Sequence, residues 1–451
     1  MTSIVNIHRN AIKFLREWRK SEYRKPLILR GARQVGKTTL VKTFAQEYDV
    51  FICLNLEKKE DRSLFEMTDN VERFITNLFV RENVKQDAKN VLLFIDEIQN
   101  SQPAVSMLRY FYEERNDIHV IAAGSLLETV MDMRRISFPV GRVQYLSLRP
   151  CSFVEFLNGI GQNQYEEFVS DTNVPEVLHE RLINLFKEYT VIGGMPAAVA
   201  RYAQTKDPLA VSEVYESLLQ TYTDDVEKYT SSTATIRTIR AILKVGWNSA
   251  AEIISFEGFG NTPYRSREMS EAFQTISKSM LLELVYPISE TQIPAIQDFR
   301  RRPKLLWLDT GLVNYAVGIQ KDVFLSGDVQ DVWRGRIAEH IVGQELLAYK
   351  KEVSAHRLFW HRDKHGASAE VDFVYEYQGL LIPIEVKSGH NAHLKSLHLF
   401  MNEAPHNIAI RVWSQPFSID EVKTQQGKTF KLVNIPFYYI GQIDEILRKE
   451  I

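Results

Sequence analysis

The sequence predicts an α/β protein of three consecutive segments, and three observations carry that prediction. Short apolar runs at 27–31 (LILRG), 51–57 (FICLNLE), 91–97 (VLLFIDE) and 119–125 (HVIAAGS) alternate with helical patterns. From about 176 to 285 the chain reads as mostly helical. Near Val332 strands and helices begin to alternate again. Buried strands separated by helices indicate a parallel, helix-covered sheet, and their return after a helical stretch indicates a second α/β unit with its own core. At 451 residues, two or three domains are expected. The boundaries are placed at 1–157, 158–325 and 326–451.

Residues 9–19 (RNAIKFLREWR) space Ala11, Phe14, Leu15 and Trp18 along one helical face. LILRG leads into a helix near 37–47. The pattern changes after RPCSFVEFL at 149–157, and GGMP at 193–196 breaks the helical run. RTIRAILKV (237–245) and SREMSEAFQTISKSMLLELVYPI (266–288) read as helices followed by a strand, with KLLWLDTG at 304–311 as the return strand of a small wing. The last segment opens with a helix at 334–350. Strands follow at LFWHR, AEVDFVYEY and LLIPIEVKS, then a helix near 392–403, with strand-like segments at IAIRVWS and FYYI.

Composition narrows the function classes. Apolar residues make up 45% and charged residues 25%, with a formal net charge of -2. Such a balance supplies no global basic field, so contact with nucleic acid requires a local patch. Cys53 and Cys151 are the only thiols, which points to a reducing compartment and not a disulfide framework. With no signal-peptide pattern and no apolar run of about 18 residues, a cytoplasmic protein without a membrane span is expected.

GARQVGKT at 31–38 fits G-x-x-x-x-G-K-[ST] without a mismatch, between a strand and a helix. Gly31 and Gly36 let the backbone curl so that its N–H groups face phosphates, and the following helix adds its positive dipole end. ATP is the expected ligand, bound by Gly31, Ala32, Arg33, Gln34, Val35, Gly36, Lys37, Thr38 and Thr39. Lys37 supplies a mobile cation for the β- and γ-phosphates, and Thr38 offers a hydroxyl to Mg²⁺. The strand VLLFI ends in Asp96-Glu97. Asp96 would hold Mg²⁺ through water, and Glu97 would polarise the attacking water, which favours hydrolysis over transfer to a metabolite. Ser125, at the end of the strand VIAAGS, is a candidate γ-phosphate sensor or simply a helix cap. Arg142 is the candidate transition-state arginine, in cis or from a self-associated neighbour, with Arg134 and Arg135 as competitors.

A second constellation lies in EVDFVYEYQGLLIPIEVKS at 370–388. With Gln378-Gly379 as a two-residue hairpin loop, Asp372 falls opposite Glu385 and Glu370 opposite Lys387. Val371, Phe373 and Tyr375 then share the other face with Val386, Ile384 and Ile382, which makes that face the core. Opposed carboxylates are unfavourable without a cation. A metal site for phosphodiester attack, with Asp372 and Glu385 as ligands and Lys387 orienting water, stands against a merely polar sheet face. Glu339, on the helix 334–350, could complete the metal shell. The basic cluster at 300–303 (RRRP) is either a phosphate contact or a solvated loop.

GARQVGKTTL, LLFIDEIQ, AAGSLLE, FPVGRVQYLSLRPCSFVEFL, GGMPAAV, LLQTYTDDVEKY, LLWLDTGLVNY, GRIAEHIVGQEL and EVDFV…IEVKSG together resemble a prokaryotic family of AAA+-type P-loop ATPases. The C-terminal region of that family is catalogued as a domain of unknown function. The last segments resemble the PD-(D/E)XK nuclease core, with Asp372 at the motif aspartate, Glu385 and Lys387 at E-x-K, and Glu339 at the helix glutamate. The resemblance implies a P-loop ATPase domain, a winged-helix-like middle and a restriction-endonuclease-like C-terminal domain. It also implies Mg²⁺, with Mn²⁺ as a substitute at the nuclease-like site. Two functions remain open: an ATPase controlling metal-dependent cleavage of DNA or RNA, and a nucleotide-dependent switch whose nuclease-like domain only binds DNA or protein.

Overall fold

The computed structural model describes residues 7–68, 70–124, 127, 138–319, 335–364, 367–387 and 394–451. The first sheet contains β1 (Leu27–Arg30), β2 (Val50–Asn55), β3 (Val91–Asp96), β4 (His119–Ala123) and β5 (Gln144–Ser147). Their order is β2-β3-β4-β1-β5, and every pairing is parallel. Val91 to Ile95 are all buried, as a central strand covered on both faces requires. β5 was not expected, because Leu146 is its one residue that is both apolar and buried; as an edge strand it leaves Tyr145 exposed. The helix Ala11–Lys20 buries Ala11, Ile12, Leu15 and Trp18 against one side of this unit.

In the middle segment, the helix His179–Ile192 ends at the predicted glycine break and Pro196 opens the next helix, Pro196–Thr205. The helices Ser212–Asp224, Thr233–Val245 and Ser266–Lys278 follow. A small antiparallel sheet is formed by β6 (Glu252–Ile253), β7 (Leu282–Val285) and β9 (Lys304–Trp307), in the order β6-β9-β7. Trp307 stacks on Trp247 with ring centroids 3.8 Å apart, fixing that sheet to the helices.

The third sheet has seven strands in the order β14-β15-β13-β12-β11-β10-β8. They are β8 (Pro287–Ile288), β10 (Leu358–Lys364), β11 (Ala367–Tyr377), β12 (Leu380–Val386), β13 (Ile408–Trp413), β14 (Ser418–Lys423) and β15 (Thr429–Pro436). The expected strand FYYI is instead a 3₁₀ helix, Phe437–Gln442, because Pro436 ends the ladder. β8 pairs with β10 although it lies well before residue 326, so the sheet reaches across the expected boundary.

Nor does the C-terminal unit keep a wholly separate core. One face of its sheet buries Ile288, Trp360, Leu397, Phe400 and Met401 in a cluster of its own. The other face packs Phe373 and Ile384 with Ile341 of the helix Arg336–Ala348, and that cluster continues into Phe186, Tyr189 and the P-loop unit. Among the described residues, no helix is long and apolar enough to cross a membrane.

Candidate functional site

The loop after β1 and the end of β3 converge on a cavity of about 530 Å³. Arg33, Gln34, Gly36, Lys37, Thr38, Thr39, Asp96 and Glu97 line it from the sheet side. Ile7, His8, Arg9 and Ile12 close it from the N-terminal segment, and Pro196, Ala197 and Ala200 from the middle helices. The glycines have backbone reasons. A Cβ on Gly31 would collide with the Leu148 carbonyl oxygen, and Gly36 takes a left-handed φ of 94° just before the helix Lys37–Phe44.

Lys37 folds back on its own loop, donating to the carbonyls of Gly31 at 2.8 Å and Ala32 at 2.9 Å. Burial lowers its pKa to about 8, against the pull of Glu97 and Asp96. The Thr38 hydroxyl donates to Asp96 at 2.8 Å, which places a hydroxyl and a carboxylate side by side as a hard cation requires. Burial raises the Asp96 carboxyl, and the Thr38 hydrogen bond works against that rise. Glu97 sits at φ 52°, left-handed for a non-glycine residue, and its carboxylate accepts from Gln99. Such backbone outliers cluster at functional sites.

Two arginines hold the loop, Arg33 of the loop itself and Arg9, which was not expected at this site. Arg9 donates to Val35 O at 2.9 Å and pairs with Glu155 at 3.1 Å. Arg33 pairs with Asp225 of the middle segment, and its carbonyl accepts from Tyr222 at 3.1 Å. Arg142 does not line the cavity of its own chain. Its guanidinium pairs with Glu113 at 2.6 Å. Ser125, Arg134 and Arg135 lie outside the described residues.

The hairpin register is as expected from Phe373↔Ile384 to Tyr377↔Leu380, around Gln378-Gly379. Above it the expected facing pairs do not form. Asp372 turns inward and accepts from the Val386 N–H at 2.7 Å, while Glu385 pairs with Lys387 at 2.7 Å. A bulge in the β10–β11 pairing lies between Leu358↔Val374 and Trp360↔Val371. It reverses the alternation, so Val371 joins a different core cluster from Phe373 and Tyr375. The expectation of one shared core face is therefore corrected.

Ligand oxygens of Glu339, Glu370 and Asp372 lie within 4.8 Å of one another. Glu370, not Glu385, is the third member of this group. Lys304 of β9 reaches into it, paired with Glu339 and with Glu370 at 2.6 Å, and donating to the Asp372 carbonyl at 3.4 Å. Its ammonium also lies 4.6 Å from the Phe359 ring centroid and 5.7 Å from that of Phe373. Burial works against the Lys304 charge, but Glu339, Glu370 and Asp372 outweigh it and raise the pKa. Burial pushes Glu339 up to about 8 even with Lys304 alongside. Burial and Asp372 push Glu385 up to about 7, against Lys387. One oxygen of Glu385, Oε2, is buried without a hydrogen-bond partner among the described residues. A lysine at the start of an otherwise apolar strand (KLLW) was the one sequence signal for Lys304.

Residues 23–157 match the family model described as "AAA domain". The parallel sheet, the phosphate-type loop and the carboxylates at the end of β3 make this segment a P-loop ATPase domain of the AAA type. Residues 183–323 and 334–438 match two domains of unknown function, DUF8612 and DUF4143. No curated protein matches the chain. Among solved structures, the Walker-type ATPase PABY2304 of Pyrococcus abyssi is similar at 15% identity and a TM-score of 0.44. That similarity covers 69% of this chain and 96% of the other.

Proposed function

We propose that the chain hydrolyses ATP and uses the nucleotide state to control a nuclease-like C-terminal domain that recognises nucleic acid or protein. The observation that carries this reading is the convergence of Lys37, Thr38, Asp96 and Glu97 on one cavity large enough for a nucleotide. Lys37 leaves the Gly31 and Ala32 carbonyls to meet the β- and γ-phosphates. Mg²⁺, held by the Thr38 hydroxyl and through water by Asp96, would neutralise charge on the same phosphates. Glu97 orients a water toward the γ-phosphorus and takes its proton as the bond to ADP breaks. Lys37→Ala is expected to abolish nucleotide binding, and Glu97→Gln to keep binding but stop phosphate release. Undiminished hydrolysis in Glu97→Gln refutes the assignment.

For the C-terminal domain, Asp372, Glu385 and Lys387 support Mg²⁺- or Mn²⁺-dependent cleavage of DNA or RNA. The ammonium of Lys304 among Glu339, Glu370 and Asp372 supports the non-catalytic reading, and we adopt the latter, because a divalent cation does not fit beside that charge. The antiparallel sheet β6-β9-β7 beside Thr233–Val245 and Ser266–Lys278 supports a winged-helix-like middle. The exposed side of Ser266–Lys278 sets Glu268 and Glu271 against Arg267 and Lys278, and this lack of net positive charge makes it a poor DNA-reading helix. The expected result of a nuclease assay with Mn²⁺ on DNA and RNA is no cleavage. Cleavage that disappears in Asp372→Ala and Lys387→Ala restores the catalytic reading.

A further inference from the structure

We infer that Lys304 is the resident cation of the C-terminal carboxylate cluster, supplied by the middle segment in the place where a divalent metal would otherwise bind. The inference deepens the non-catalytic reading above and rests on it, but metal binding and cleavage are measured separately.

The geometry is that of a filled site. An ammonium has three N–H donors. Lys304 finds three oxygen acceptors, on Glu339, Glu370 and the Asp372 backbone, and its side chain is 1% exposed. Phe359 and Phe373 present ring faces to the same nitrogen, a cage suited to a monovalent ammonium. The carboxylate oxygens stand within 4.8 Å of one another, a spread that one Mn²⁺ or Ca²⁺ could bridge if the ammonium were gone. With Lys304 in place, a divalent ion would meet like charge at contact range and would compete for the same oxygens.

The lysine arrives from outside the C-terminal unit. Lys304 begins β9, paired with Ile253 of β6 and Val285 of β7, so its backbone is fixed in the small sheet. Glu339 belongs to the helix Arg336–Ala348, and Glu370 and Asp372 to β11. The ammonium therefore joins the middle sheet to two elements of the C-terminal unit through charge.

The test is Mn²⁺ titration of the 451-residue chain without added nucleotide, read by loss of the free-ion EPR signal. Wild type and Glu339→Gln are expected to bind Mn²⁺ alike, since neither has an open site in the cluster. Lys304→Met is expected to gain one Mn²⁺ site at least ten-fold tighter than any in wild type. That site should vanish when Glu339→Gln is added. Any Mn²⁺ held near Thr38 and Asp96 is common to all variants and cancels. Wild-type binding that Glu339→Gln weakens would overturn the inference, as would a folded Lys304→Met protein that gains no site. If Lys304→Met fails to fold, wild type against Glu339→Gln still decides. Cleavage without Mn²⁺ bound at the cluster would overturn the non-catalytic reading and leave the lysine assignment standing.

Discussion

Lys37 makes ATP affinity depend on pH in a direction the structure fixes. Burial brings its ammonium down to about 8 in the nucleotide-free protein, with Asp96 and Glu97 resisting and Arg33 assisting. A triphosphate carries enough negative charge to hold the lysine protonated once bound. Binding above pH 8 must then draw a proton from solvent. The sign follows: affinity is fully present below pH 8 and falls as pH rises through it. The neutral lysine is about 10% of the population at pH 7 and about 90% at pH 9, so Kd should rise about ten-fold between them, about 1.4 kcal/mol. The last phosphate proton has a pKa near 6, so its loss contributes little in this window. Calorimetry in buffers of different ionisation enthalpy should show close to one proton taken up per ATP at pH 9 and almost none at pH 7. Lys37→Arg stays charged throughout and should flatten the profile whatever its absolute affinity. A wild-type Kd that is constant from pH 7 to 9, or an equal slope in Lys37→Arg, would refute the reasoning.

Two further outcomes follow from buried groups. Burial raises the Glu345 carboxyl to about 8, although Tyr189 at 2.7 Å and Phe153 N at 3.0 Å both donate to it. The folded chain therefore holds a proton that the unfolded chain has released, and stability should fall from about pH 4.5 to pH 8 by up to about 1.4 kcal/mol per unit. Thermal melts of Glu345→Gln should lose that slope and exceed wild type at pH 9; parallel curves would count against the assignment. Gly31→Ala forces a methyl into the Leu148 carbonyl, so it should lower the melting temperature and weaken nucleotide binding together. Wild-type melting with only binding lost would show that the backbone there yields.

The parts of the fold that were legible in the sequence are those set by local pattern. β1, β3 and β4 are apolar runs, and the hairpin register follows from Gln378-Gly379 between alternating strands. The nucleotide site was legible because its loop is one contiguous stretch and Asp96-Glu97 end a strand. The carboxylate site was legible only in part. Nothing near residue 372 announces the bulge that separates Val371 from Phe373, since a bulge depends on the partner strand β10. Lys304 was out of reach for a different reason. Its partners lie 35 and 66 positions away, at Glu339 and Glu370, and only the folded topology brings them together. Edge strand β5 was obscured because Leu146 is its one buried apolar residue, too little for an apolar run.

A buried polar network lies between the two sites and is joined to each only along the chain, and this gives the proposed control a physical route. Pro196 lines the nucleotide cavity, and two residues earlier Gly194 accepts from Cys151 N and donates to Asp309 at 2.6 Å. Asp309 is fully buried and also lies 3.4 Å from Gln344, next to Glu345 on the helix Arg336–Ala348. Glu345 in turn accepts from Phe153 N of the P-loop unit. Glu339 stands on the same helix, six residues or about 9 Å along its axis, at the Lys304 contact. Buried polar networks of this kind are costly to leave half satisfied. A displacement of Pro196 by nucleotide should therefore pass to the Arg336–Ala348 helix as a rigid shift, with the hydrogen bonds at both ends intact. The contact such a shift would strain first is the Lys304–Glu339 pair, because Lys304 is anchored in the middle sheet while Glu339 rides on the helix.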